Sequence, residues 1–236
     1  MRTLLLTLAL LLAAEAQGQQ QSRDSEQPGE AAFAGLSVLA FGDQQLDLST
    51  GITTLPDGGQ VIDRQHGVTL TAGSLRYREG EFVEAQEVEL SGDFGVAHAE
   101  SVYIDLTQGR LDATGGVVFE RETLGLTAQS LQYYANEGVI RFEGPVSGVG
   151  LDFEGAAAVF DAAGEVFLLA APYRYQDALF ELSSDREGAL LSLTPAGDES
   201  GSLVASSTVE PGLLARLAPF LPQGAPAGAA TESGPL

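Results

Sequence analysis

The side chains that carry out chemistry are few in this chain of 236 residues, and few of them stand in usable spacing. Cysteine is absent, which removes disulfides, thiolate metal ligands, a cysteine nucleophile and lipid attachment to an N-terminal cysteine. Histidine occurs only at His66 and His98, too few for a histidine-rich zinc site, and no partner for His98 is evident in its strand. The nucleophile turn GxSxG, the phosphate loop GxxxxGKS/T and the zinc pair HExxH are all missing. Gly148-Val149-Gly150 opens like a dinucleotide loop, but Phe153 stands where the third glycine belongs, so the segment reads as a turn. Carboxylates are plentiful. Glu79, Glu81 and Glu84 lie around one turn, and Glu87 and Glu89 share one face of a strand. A polysaccharide-cleaving site needs opposed carboxylates, whereas carboxylates on one face opposite an apolar face read as a solvated surface. Asp105 to Asp112 (DLTQGRLD) lacks the ligand spacing of a calcium loop. These residues point away from an enzyme, and no cofactor or metal is expected.

Charge narrows the partners. Thirty-three acidic residues face eleven basic ones, all arginine, for a formal charge of −22. A nucleic-acid binder needs cations to displace phosphate counterions, and docking on an anionic membrane needs a basic patch; neither fits. The acidic residues are scattered, and 44% of the chain is hydrophobic, so a folded core is expected rather than an acidic disordered tail.

The first residues read as an export signal. Arg2 is a short basic start, Leu4 to Leu12 form the apolar core, and Ala14-Glu15-Ala16 offers a small-x-small cleavage site. Cleavage after Ala16 removes Arg2 and Glu15 together and leaves the charge unchanged. The mature protein is therefore expected in the periplasm or cell envelope. Residues 17–31 read as a flexible lead-in and 195–202 (PAGDESGS) as a linker. Residues 211–221 (PGLLARLAPFL) can form one or two helical turns, and 222–236 read as a disordered Pro/Ala/Gly tail.

Between these ends alternation dominates: Leu75 and Tyr77 flank Arg76, Val88 and Leu90 flank Glu89, Ile140 and Phe142 flank Arg141. Successive strand residues face opposite ways, so each strand has an apolar and a wet face, and the fold class is all-β. A period near 29 residues runs through it. Turn glycines fall at Gly80, Gly109 and Gly138, and strand-opening valines at Val88, Val117 and Val146. TAGSLRY (71–77), AESVYI (99–104) and AQSLQY (128–133) form a third marker. Repeats of this size signal stacked antiparallel units that cannot bury their apolar faces alone. Outside the repeat, LDLSTGITTLPDGGQVI (46–62) reads as a hairpin turning at Pro56-Asp57-Gly58-Gly59, and 172–193 as two irregular closing strands.

The inward set of such a stack is Leu70, Leu75, Tyr77, Val88, Leu90, Val102, Ile104, Leu111, Val117, Phe119, Leu124, Leu126, Leu131, Tyr133, Ile140, Phe142, Leu151 and Phe153. Periodicity does not decide whether these residues fill a dry core or line an apolar groove open along one side.

The repeats resemble the OstA-like family, to which the LptA and LptC lipopolysaccharide-transport proteins belong. The likeness lies in small-x-Ser-hydrophobic-x-aromatic, a turn ending in glycine, a hydrophobic strand, then glycine before valine. AQSLQYYANEGVIRFEGPV (128–146) carries all of it and AESVYIDLTQGRLDATGGV (99–117) nearly all. The resemblance covers residues 61–172 and implies a stacked, bent, open β-jelly roll (a β-taco) over 32–193. It implies an acyl lipid, lipopolysaccharide-like or another envelope lipid, held against the inward residues above. It also implies edge-strand pairing of the stack ends with itself or with other OstA-like proteins. The alternative is a ligand-free β-stack that joins envelope proteins edge to edge.

Overall fold

The computed structural model describes residues 35–122, 124–196 and 203–222. The export segment, the polar lead-in, residues 197–202 of the linker and the tail from 223 onward lie outside the described residues. Eight long strands follow one another as antiparallel hairpins. They are β5 (Val68–Arg78), β6 (Phe82–Gly92), β7 (Gly95–Asp105), β8 (Arg110–Arg121), β9 (Leu124–Tyr134), β10 (Val139–Val149), β11 (Asp152–Asp161) and β12 (Val166–Gln176). Four short strands precede them: β1 (Leu36–Ala40), β2 (Gln45–Asp47), β3 (Ile52–Leu55) and β4 (Gly59–Asp63). Three more, β13 (Glu181–Ser184), β14 (Leu190–Pro195) and β15 (Leu203–Ser206), and a short helix α1 (Pro211–Leu217) complete the chain. All strands belong to one antiparallel sheet that does not close on itself.

Each long strand is creased in the middle. In β5 the buried positions are Val68, Leu70 and Ala72, and the next is Leu75; in β9 they are Leu124, Leu126 and Ala128, and the next is Leu131. One or two extra residues interrupt the alternation, so both halves of a strand turn apolar side chains to the same side. The interruptions lie side by side across the sheet, with register shifts at Thr114/Val117 in β8 and Glu143/Val146 in β10. Two of them need glycine. Gly115 (φ +89°) and Gly144 (φ +82°) adopt backbone angles that L-residues resist. A Cβ on Gly115 would stand 2.5 Å from Glu100 Cβ, and one on Gly144 2.6 Å from Gln129 Cδ. The sheet folds along this crease into two facing leaves. The upper leaf carries the row Val61, Leu70, Leu90, Ala97, Phe119 and Leu126; the lower carries Val83, Ile104, Leu111, Tyr133, Ile140 and Phe160. Phe119 of the upper leaf meets Phe142 of the lower at 5.2 Å and Phe160 at 6.0 Å, which places one core between the leaves.

Two expectations from sequence change. Pro56–Gly59 is not the turn of a hairpin, because β3 and β4 both pair with β5, one on each side of the crease. Together they run as one creased strand whose corner is PDGG, and the hairpin is β2–β3, turning at residues 48–51. The valines Val88, Val117 and Val146 stand just past the crease in mid-strand rather than at strand openings.

Free edges of the leaves are capped by Asp-led turns. Asp47, Asp63, Asp105, Asp161 and Asp177 each accept the backbone N–H two residues on, the Asx arrangement that holds a tight turn. Asp105 also accepts from the Thr107 hydroxyl at 2.6 Å, and that bond is the main reason its carboxyl sits below the ordinary aspartate value.

A second apolar cluster lies on the outside of the lower leaf. Val139, Val159 and Leu168 point outward and are covered by Leu217 of α1 and by Leu221. Phe220 packs on Tyr134 at 4.8 Å. Arg216 holds the fully buried Asp161 through both carboxylate oxygens, 2.9 Å at Oδ1.

Two outcomes are expected. Asp105 is lowered in the folded state, so its stabilisation is present above its unfolded value near 3.8 and is lost as pH falls through the folded value. In thermal melts from neutral pH into that acid range, Asp105→Asn should therefore lose less stability than wild type. Arg216→Ala leaves a buried carboxylate short of one partner and should cost about 1–3 kcal/mol in urea unfolding, with α1 protected least in hydrogen exchange.

Candidate functional site

Where the leaves meet opposite the crease, they form a seam made of strand ends and turns. Its closure differs along the stack. At the β1 end, β1 borders the upper leaf with Leu36 and Val38 turned inward. Opposite stand Tyr77 to Val83 of the lower leaf with Leu106 and Thr107 of the β7–β8 turn. Between them is an open cleft of about 620 Å³. A small void behind it reaches Leu70, Leu90 and Ile104 in the core.

Arg78 and Phe82 border the cleft, and beside them Arg76 and Tyr103 lie on the outer face of the lower leaf. Arg76 and Arg78 place their guanidinium groups 5.9 and 6.0 Å from the centre of the Phe82 ring, and Phe82 stacks on Tyr103. Arg76 pairs with Glu84 at 2.8 Å, and Arg78 pairs with Glu81 at 2.6 Å. The Nε atoms of Arg78 and of Arg141, the latter away from the cleft, are buried without a hydrogen-bond partner among the described residues.

Farther along, the seam is shut. Phe94, in the β6–β7 turn, meets Tyr133 across the seam at 5.1 Å. Burial, then the carboxylates of Asp63 and Asp93, push the Tyr133 phenol up to about 12, so it stays neutral. Asp63 is buried beside it and accepts from its own turn and from His66 Nδ1 at 2.7 Å. Nearer the β15 end, Arg121 of the upper leaf reaches Glu165 of the lower at 2.5 Å and lies 5.2 Å over Phe160. Beneath this strap, Phe119, Phe142, Phe160 and Phe167 pack at 4.3–6.4 Å.

The inward residues expected from sequence sit as follows. Sixteen of the eighteen are buried in the core; Tyr77 and Leu151 are half-buried and pack against it. Tyr77 lines the cleft, and Leu70, Leu90 and Ile104 line the void behind it; the others are packed away from it. Leu36, Val38, Val83, Leu106 and Arg78 complete the cleft and were not in the expected set. β1 lies outside the repeat, and an arginine on an alternating strand reads as its wet face. Among the described residues no group of three or more His, Asp or Glu is placed to hold a metal, and no helix is long and apolar enough to cross a membrane.

Among the described residues, the two ends of the stack leave edge strands unpaired and apolar side chains exposed. Leu39, Phe41, Leu46 and Leu48 stand exposed at the β1–β2 end, and Leu179, Phe180 and Val204 at the β13–β15 end.

No protein-family model matches the chain, and no curated protein matches it in sequence. Among solved structures it is similar to LptH, the LptA homologous periplasmic component of the lipopolysaccharide transport device from Pseudomonas aeruginosa. The identity is 12% and the TM-score 0.27, over 72% of this chain and 93% of that one.

The strap makes its own test. Arg121→Ala removes a partly exposed ion pair and a cation–π contact, and should lower unfolding free energy in urea by about 0.5–1.5 kcal/mol.

Proposed function

We propose that the chain is a non-enzymatic, periplasmic lipid-binding carrier or bridge component, holding lipopolysaccharide or a related envelope lipid on its way to the outer membrane. The observation that carries this reading is the cleft at the β1 end. Leu36, Val38, Tyr77, Phe82, Val83 and Leu106 give the cleft an apolar lining, with Arg78, Glu79 and Thr107 at its border, and a small void behind it reaches the core. An acyl chain entering there leaves water at about 0.8 kcal/mol per buried methylene. An anionic head group stays outside the mouth in water, since Arg78 is already paired with Glu81 and Glu79 stands beside it. Partners are other OstA-like proteins or a second copy, joined through the exposed edges by strand addition, which satisfies backbone groups that otherwise face water.

The packed interior favours a second reading. With sixteen inward residues already buried against one another, the stack is stable without cargo, as an edge-to-edge scaffold requires.

Native mass spectrometry of mature protein purified from its own envelope separates the two. The carrier reading expects co-purifying acyl lipid. Val38→Asp, half-buried at the mouth where a carboxylate still reaches solvent, should reduce it at least tenfold while circular dichroism shows the sheet retained. A lipid-free protein that still binds an envelope partner leaves the scaffold.

A further inference from the structure

The cleft at the β1 end is apolar, open, and next to the point where the chain enters the fold. Leu36 pairs with Asp63, the last residue of β4 before its turn, so β1 starts at the seam and not at the crease. Whatever precedes Leu36 therefore leaves from the mouth, opposite Leu106 and Thr107 of the lower leaf. Gly35 stands in a turn there, and a Cβ built on it would meet nothing within 4 Å, so the chain has room to reverse.

The segment that arrives at this point has one large apolar side chain. From Gln17 to Gly35 the sequence is QGQQQSRDSEQPGEAAFAG, polar and charged as far as Glu30, then uncharged up to β1. Phe33 is its only large apolar residue and is flanked by alanines. It lies outside the described residues, three positions before Leu36 and hence within about 10 Å of it. A straight continuation of β1 would turn Ala34 inward with Leu36 and Val38 and leave Phe33 in water. The turn at Gly35 ends that alternation. A cavity of about 150 Å³ takes a benzene ring, so the cleft, at about 620 Å³, takes the Phe33 ring with space for the alanines beside it.

We infer that residues 31–34 fold back at Gly35 and seat Phe33 in the cleft of the same chain, against Leu36, Val38, Tyr77 and Leu106. Chemistry and reach select this occupant. A neutral aromatic segment suits an apolar lining, whereas a charged one would lose its hydration there without a free partner, Arg78 being paired with Glu81. The tether is short, so the ring is held at an effective concentration of about millimolar. It competes on those terms with a second copy and with an acyl chain alike. The competition with lipid rests on the carrier reading above; the plug itself does not. Where that reading holds, lipid enters by displacing Phe33, and its apparent affinity falls with the fraction of time the cleft is filled.

The chain has no tryptophan, so Phe33→Trp in the mature protein is a sole fluorescent reporter. Its emission should be blue-shifted from that of a peptide of residues 28–37 with the same substitution, and less quenched by acrylamide. Val38→Asp and Leu106→Asp, each half-buried at the mouth, are added singly to Phe33→Trp. Each should return both readings toward the peptide's while circular dichroism shows the sheet retained. The shift should not depend on protein concentration. Emission that matches the peptide's overturns the plug, as does a blue shift that neither aspartate moves. A blue shift that grows with concentration puts the ring in a second copy and overturns it too. Dodecanoic acid, kept below its micelle concentration in isothermal titration, tests the competition. Phe33→Ala should bind it about threefold or more tightly than wild type, and equal affinities overturn the competition. Failure of both proteins to bind it counts against the carrier reading, while the emission still decides the plug.

Discussion

Everything in this molecule depends on the crease. A strand can bury only every second side chain on one side, and an eleven-residue strand laid flat would spread its apolar face too wide to cover. Inserting one or two residues at the same level in strand after strand resets the alternation and bends the sheet, so that its own two halves cover each other. The register between neighbours is recovered on both sides of each insertion, which keeps the ladder intact. One core, one seam and two open ends follow from that single device. The seam is a row of strand ends and turns, so it is the part of the structure most open to local variation in closure.

The fold was legible to the extent that it is written in alternation. Leu75 with Tyr77 and Ile140 with Phe142 gave strands, and the 29-residue period of Gly80, Gly109 and Gly138 corresponds to two strands and their turns; these glycines lie at equivalent hairpins with φ of +73°, +64° and +64°. Less legible was anything that depends on which leaf faces which. PDGG has the chemistry of a hairpin turn, yet both flanking strands find the same partner, β5, and tertiary pairing overrides the local signal. The all-apolar run Val166–Ala171 breaks strict alternation because α1 covers its outer face; a run buried on both sides is the trace such a cover leaves in sequence. Phe94 gave no signal, since hydrophobic periodicity stops at a hairpin tip. The cleft was legible only in Tyr77, because Leu36 and Val38 precede the repeat and Arg78 reads as the wet face of an alternating strand.

The seam also separates two kinds of stability. Under the strap, dispersion among four phenylalanines and a cross-leaf ion pair hold the leaves together, and a rearrangement there disturbs many contacts at once. At the β1 end the leaves are held by the crease and by β1, a five-residue strand with one partner among the described residues. Opening is cheapest where the structure is already least closed, which among the described residues is the β1 end.

Charge also distinguishes the faces of the stack from its two ends. Arg76, Arg78, Arg110 and Arg141 each pair with a carboxylate of the lower leaf, so that leaf's outer face is close to neutral. The ends are not. From residue 35 to 62 the charged residues are Asp43, Asp47 and Asp57, with no cation among them. At the other end Asp177, Glu181, Asp185 and Glu187 outnumber Arg174 and Arg186, and Arg174 is already held by Glu181. Apolar side chains at both ends favour contact, while like charge around them opposes a second copy at low ionic strength and is screened within about 10 Å at 0.1 M salt. A partner whose edge strand carries basic residues meets the same apolar groups without that cost. Were either end to join a neighbour by strand addition, this electrostatics would favour an unlike partner over a second copy.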